Sequence, residues 1–141
     1  MTIRFGPRLV GATEKTLNAI LRRCLEGTGL SEPQWVTLRL ARLATDGPVD
    51  AAGLADAVAK AAHFSDAADL VEGLAQRGLL EGGQVSARGV EAMAVVEGRI
   101  RALEDAAGLW ADLAPDDVAA TERVLNQVLD RARAALTRPA G

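Results

Sequence analysis

Between Leu9 and Leu25 the apolar side chains Leu9, Val10, Leu17, Ile20, Leu21, Cys24 and Leu25 recur at steps of three and four, and Gly27 and Gly29 close the run. That spacing predicts an amphipathic helix. Ser31-Glu-Pro-Gln34 then has the form of a capping box, the serine accepting from an early backbone N–H while Gln34 reaches back. A second helix is predicted from there to Ala44. Asp46-Gly47-Pro48 is turn chemistry and Val49 a brief strand, after which Asp50 is placed to cap a short helix carrying Leu54 and Val58. Ser65 is the expected cap of the next helix, with Leu70, Val71 and Leu74 on one face and Gly78 just past its end.

Leu79 and Leu80, then Gly82-Gly83, then Val85 predict a hairpin of minimal length, because adjacent glycines accept the positive φ of a tight turn. Ser86 is placed to cap a long helix whose apolar stripe runs Val90, Met93, Val96, Ile100, Leu103, Trp110 and Leu113. Ala114-Pro115-Asp116 interrupts it, and Val118, Leu125, Val128, Leu129, Ala132 and Leu136 define a last helix ending before Pro139. The predicted order is four helices, a hairpin and two further helices.

Composition narrows this picture. The chain has 141 residues, which fits one domain, 1–141. Apolar residues make up 49% but aromatics only 3%, with no tyrosine, so the interior must be built from Leu, Val and Ala, a palette that favours helix. The formal charge of −3 supplies no global field for nucleic acid or an anionic membrane. No apolar stretch is long enough for a signal peptide or a span, so a cytoplasmic protein without membrane contact is expected. One cysteine, Cys24, and one histidine, His63, exclude a disulfide framework and the usual zinc sites, and no metal or cofactor is expected. Cys24 lies on the apolar face of the first helix and reads as a small buried hydrophobe.

Leu30-Ser-Glu-Pro-Gln-Trp35, Gly47-Pro-Val49, Leu54-Ala55, Leu70-Val71 with Leu74, and Gln76-Arg-Gly-Leu-Leu80 together resemble the winged-helix core of the MarR family of bacterial regulators. Val85-Ser-Ala-Arg-Gly89 is similar to the Leu-Thr-x-x-Gly that opens the long helix after the wing. The resemblance implies a mainly α fold: a winged helix-turn-helix core at 31–86 with a minimal β-hairpin wing, flanked by dimerisation helices at 1–30 and 87–141. It also implies a homodimer holding two helix-turn-helix units against successive major grooves, and a small-molecule ligand that tunes transcription. Two long terminal helices with wide apolar faces independently call for a partner surface.

The reading head departs from that family pattern. Residues 46–76 carry six acidic side chains (Asp46, Asp50, Asp56, Asp66, Asp69 and Glu72) against one basic, Lys60, whereas the first 45 residues carry a net charge of +4. Base edges and phosphates call for donors, so this polarity is opposite to what a DNA-reading helix needs. Aspartates in a helix's first turn also have a plainer role, since they meet the helix dipole favourably by about 0.3–1 kcal/mol. The hairpin leaves only Glu81, Gly82, Gly83 and Gln84 between Leu80 and Val85, so the family's minor-groove arginine has no counterpart. Residual DNA contacts would fall to Lys60, His63, Ser65, Arg77 and Arg88.

Besides a protein-interaction role, in which the acidic helix imitates DNA phosphates to occupy a basic partner, two functions remain open on the sequence. One is a homodimeric, ligand-responsive regulator with atypical, weakened binding to duplex DNA. The other is a protein of the same fold that has left DNA and binds or transforms a small molecule in the former effector pocket, where Trp35, Arg39, Met93, Glu97 and Trp110 are the candidate lining. No catalytic set is assembled, and the acid, base and cationic groups available to an enzyme are His63, Glu97 and Arg39. The pairs Arg22-Arg23 and Arg99-x-Arg101 read either as an anion site or as solvent-facing charge.

Overall fold

The computed structural model describes residues 2–44 and 50–139. Among them the protein is mainly helical, with α1 (Pro7–Leu25), α2 (Glu32–Leu43), α3 (Ala51–Ala62), α4 (Ala67–Gln76), α5 (Ala87–Ala107) and α6 (Pro115–Thr137). Strands β1 (Leu80–Glu81) and β2 (Gln84–Val85) pair antiparallel between α4 and α5. The chain divides into two compact units, Met1–Leu103 and Glu104–Gly141.

In the first unit, local chemistry sets most boundaries. Pro7 occupies the first turn of α1, where its missing N–H costs nothing, and the left-handed glycines Gly27 (φ 75°) and Gly29 (φ 76°) carry the chain away from the helix end. The capping box of α2 forms as its residues predict: the Gln34 N–H donates to Ser31 Oγ at 3.3 Å, and the Ser31 N–H to Gln34 Oε1 at 2.9 Å. Asp50 caps α3 by accepting from the Gly53 N–H at 2.7 Å. The turn expected at 46–48 and the strand at Val49 lie outside the described residues.

Between α3 and α4 the boundary differs from expectation. His63 takes a left-handed conformation (φ 57°) as the residue closing α3, and Phe64 turns inward against the core. Ser65 therefore lies in a turn. The cap position of α4 is held by Asp66, which makes no side-chain cap bond. At the far end of α4, Gly78 N–H donates to Ala75 C=O (3.0 Å) and Leu79 N–H to Leu74 C=O (3.0 Å), a Schellman closure that needs the positive φ of Gly78.

The hairpin pairs Leu80 with Val85 and Glu81 with Gln84 around Gly82-Gly83. Only Gly82 has a positive φ (62°), which is the pattern of a type II′ turn rather than one using both glycines in the left-handed region. Ser86 accepts from the Gly89 N–H at 3.1 Å and so starts α5. A Cβ on Gly89 would lie 2.3 Å from the Leu79 carbonyl oxygen and 2.7 Å from Val85, so this first turn of α5 sits on the hairpin as only glycine allows.

Leu25, Leu30, Trp35, Leu38, Leu54, Val58, Val71, Leu74, Leu79, Leu80, Met93 and Val96 form one buried core drawn from α1 to α5 and the hairpin. Each large aliphatic side chain removed from water there contributes about 1.5–3 kcal/mol. The buried Thr37 hydroxyl donates to the Pro33 carbonyl at 2.8 Å, and no buried side-chain polar atom among the described residues lacks a partner.

The second unit holds the end of α5, a turn and α6. The stripe through Trp110 and Leu113 predicts a longer α5 than the one that forms. The helix stops at Ala107 because Gly108 (φ 59°) closes it, with Gly108 N–H donating to Asp105 C=O at 3.1 Å and Leu109 N–H to Glu104 C=O at 3.0 Å. Trp110 thus lies in the turn after the helix, exposed, with its indole N–H directed at the Glu104 carboxylate. Pro115 starts α6, and Asp116 and Asp117 place negative charge at its N-terminus, where the helix dipole favours it. No residue of α6 is buried.

Candidate functional site

The polar groups that bind across the first unit are arginines. On α2, Arg39 and Arg42 are three residues apart, so their side chains leave one face of the helix. On α5, Glu97 and Arg101 are four apart and likewise share a face. The two faces meet in one bidentate bridge, with Arg42 donating to the two Glu97 oxygens at 2.6 and 3.3 Å. Hydrogen bonding to Glu97 raises the Arg42 guanidinium above its ordinary value against a small opposing effect of burial. The same bond from Arg42 is the main reason the Glu97 carboxyl is held below the usual carboxylate range. The positive charges of Arg101 and Arg39 push it the same way, and burial opposes them.

A carboxylate held ionised in this way accepts hydrogen bonds and is a weak base at neutral pH. In this structure it anchors the Arg42 guanidinium. Arg42 was absent from the sequence candidates although it makes the bond. Its spacing from Arg39 was visible, but its approach to Glu97, 55 residues away, depends on how α2 and α5 pack.

Trp35 and Met93 are buried in the shared core, with Met93 fully enclosed, so they underlie α2 and α5 and present no surface to solvent. Arg39 is exposed and Glu97 half-buried. Trp110 belongs to the second unit.

The residues proposed for DNA fall into two groups. Lys60, His63 and Ser65 are exposed around the α3–α4 turn, together with Asp66, Asp69 and, further along α4, Glu72. His63 sits at the end of α3. Within residues 50–76 Lys60 is the one lysine or arginine, so the exposed face of this pair of helices is acidic.

Arg77 and Arg88 lie beyond α4. The Arg77 guanidinium donates to the Gly29 carbonyl at 2.8 Å and reaches Gln34 Oε1 at 3.4 Å, tying the end of α4 to the start of α2. Arg88 is exposed beside Gly78, where its guanidinium would be 3.4 Å from an added Cβ. Arg99, a candidate for anion binding or for solvent, instead donates to the carbonyls of Cys24 (3.2 Å) and Glu26 (2.7 Å), satisfying acceptors at the C-terminus of α1. Arg22 makes a longer contact with Glu32, 3.5 Å. Cys24 is buried, as its place on the apolar face predicts.

Among the described residues no group of three or more His, Cys, Asp or Glu side chains is placed to hold a metal ion, and no helix is long and apolar enough to cross a membrane. No family model, curated protein or solved structure matches the chain.

Proposed function

We propose that the protein is a winged-helix regulator of the MarR type, homodimeric through its terminal helices, responsive to a small ligand and weakened in its grip on DNA. The observation that carries this reading is the junction after α4. A Schellman turn leads into a two-residue hairpin, and Ser86 and Gly89 seat α5 directly on that hairpin. In this reading α3 and α4 are the helix-turn-helix, the hairpin is the wing, and the unburied stripe of α6 waits for a second subunit. A cytoplasmic location accompanies it.

Fluorescence anisotropy on duplex DNA from the chain's own upstream region tests the regulator. Binding that weakens with salt is expected, with a shallow dependence because few cations face the phosphates. Absence of salt-sensitive binding to any duplex, even at low ionic strength, overturns it. Sedimentation equilibrium tests the dimer, and a monomer at every accessible concentration overturns that part.

A second reading is favoured by the exposed acidic run Asp66, Asp69 and Glu72 and by the engagement of Arg77 with Gly29. Here the same fold binds a small molecule without touching DNA. Dimer formation and ligand binding with no duplex affinity is the result that selects it.

A further inference from the structure

Helix α6 leaves its apolar stripe exposed from Val118 to Leu136, and every charged side chain on it is exposed as well. Among the described residues none of those charges has a salt-bridge partner. They are segregated by sign. Asp116, Asp117 and Glu122 lie in the first third of the helix, and Arg131, Arg133 and the capping residue Arg138 in the last. Arg123 and Asp130, between these groups, fall with Asp116 on the face away from the stripe, at about 100° per residue. The charges that border the stripe are symmetrically placed. Glu122 and Arg133 follow one border, being eleven residues and so close to three turns apart. Asp117 and Arg138 follow the other, in seven-residue steps through Val124 and Arg131. Glu122 and Arg133 are equidistant from the point between Gln127 and Val128, and so are Asp117 and Arg138. The apolar pairs Val118 with Leu136, Val124 with Leu129, and Leu125 with Val128 centre within one residue of that point.

We propose that α6 pairs antiparallel with α6 of a second copy, about a two-fold axis through this point. That axis sets Glu122 against the partner's Arg133 and Asp117 against the partner's Arg138, each contact made twice, while the two stripes close on one another. Parallel pairing in register would oppose each of these charges to its own copy and align the two helix dipoles unfavourably. The stripes supply the affinity. The exposed ion pairs are individually worth little and instead select direction and register. The inference rests on the homodimer of the proposed function and adds the element, direction and register that an apolar stripe alone does not specify. DNA and ligand binding do not enter it.

Disulfide cross-linking of full-length variants with one added cysteine tests the direction, and the wild type, whose Cys24 is buried, is the blank. Val118→Cys mixed with Leu136→Cys should give a cross-linked heterodimer under mild oxidation, because the register brings these positions together. Val118→Cys by itself should give none, since its two copies would lie about 28 Å apart along the axis, far beyond the roughly 7 Å between Cα atoms that a disulfide spans. Sedimentation equilibrium tests the register. Glu122→Arg should weaken the dimer by about fivefold or more, and Glu122→Arg/Arg133→Glu should restore it. Arg123→Glu, on the far face, should leave it unchanged.

Cross-linking of Val118→Cys to itself, with none to Leu136→Cys, establishes a parallel pair. A chain that still dimerises but gives neither cross-link places another element on the stripe. Either result overturns the proposal and leaves the homodimer standing, as does a double charge variant no tighter than Glu122→Arg alone. A monomer at every accessible concentration overturns the dimer itself and this inference with it. All the substituted positions are exposed, and circular dichroism checks that each variant keeps its helix.

Discussion

Helices α4 and α6 are built from the same materials and reach opposite ends. Both are amphipathic and rich in Leu, Val and Ala, yet α4 buries Ala67, Val71 and Leu74, while Val118, Val124, Leu125, Val128, Leu129 and Leu136 of α6 stay 39–72% exposed. An apolar stripe states what a helix needs; burial requires a surface that supplies it. For α4 that surface is α2, α3 and the hairpin. For α6 no surface within its own unit does so, and the proposed partner subunit is the body that would cover it.

The contrast breaks or sharpens under substitution. The largest effect is expected in the core: Leu74→Ala should cost about 2–5 kcal/mol in urea unfolding, because a fully enclosed side chain leaves a cavity. Leu129→Ala should cost less than about 0.5 kcal/mol in dilute solution and progressively more as concentration rises. A cost that ignores concentration removes the partner from the explanation of α6.

Next in size are two glycines of α5. Gly89→Ala should destabilise by about 1–3 kcal/mol, since the new methyl meets the Leu79 carbonyl, whereas Gly98 has open space around it, and Gly98→Ala should stabilise by up to about 1 kcal/mol. Equal effects at the two positions would dismiss the close seating of α5 on the hairpin. Caps come third. Ser31→Ala should cost about 1 kcal/mol, and Ser65→Ala, at a residue that caps nothing, should fall within about 0.5 kcal/mol of the wild type.

The smallest effect concerns pH. Glu97 has a folded-state pKa below its unfolded value, so its stabilising contribution is present above the unfolded carboxyl range, about pH 4.3, and is lost as pH falls through the lower folded value. The bridge is partly exposed, so its worth is that of a surface pair, under about 1 kcal/mol. Glu97→Gln should therefore lower stability slightly at neutral pH and flatten its decline in acid. An unchanged acid profile, followed by thermal unfolding, would show that Glu97 contributes nothing to that decline.

What could be read from residues alone was whatever depends on near neighbours. The Ser31–Gln34 box, the Asp50 cap, the close of α4 at Gly78 and the Ser86 start of α5 are settled within three or four positions, and all four form as their sequence predicts. The errors came where a local signal was overruled. Apolar spacing through Trp110 and Leu113 pointed to a longer α5, but the left-handed Gly108 ended it. Ser65 had the chemistry of a cap, but the inward turn of Phe64 moved the helix start past it.

Long-range polar contacts left no signal at all. Arg42 to Glu97, Arg77 to Gly29 and Arg99 to Glu26 join residues 48–73 positions apart, and nothing in their immediate surroundings distinguishes them from other surface arginines. Candidate site residues chosen by type therefore split between core, surface and structural ties.

The short connection between α1 and α2 is held from both sides, by Arg99 on the carbonyls of Cys24 and Glu26 and by Arg77 on the carbonyl of Gly29. Mechanically this makes residues 24–29 a braced elbow rather than a joint. A torque applied to α1 is passed through two guanidiniums into α4 and α5 before it bends the connection, so swinging α1 about this point would require both braces to let go together.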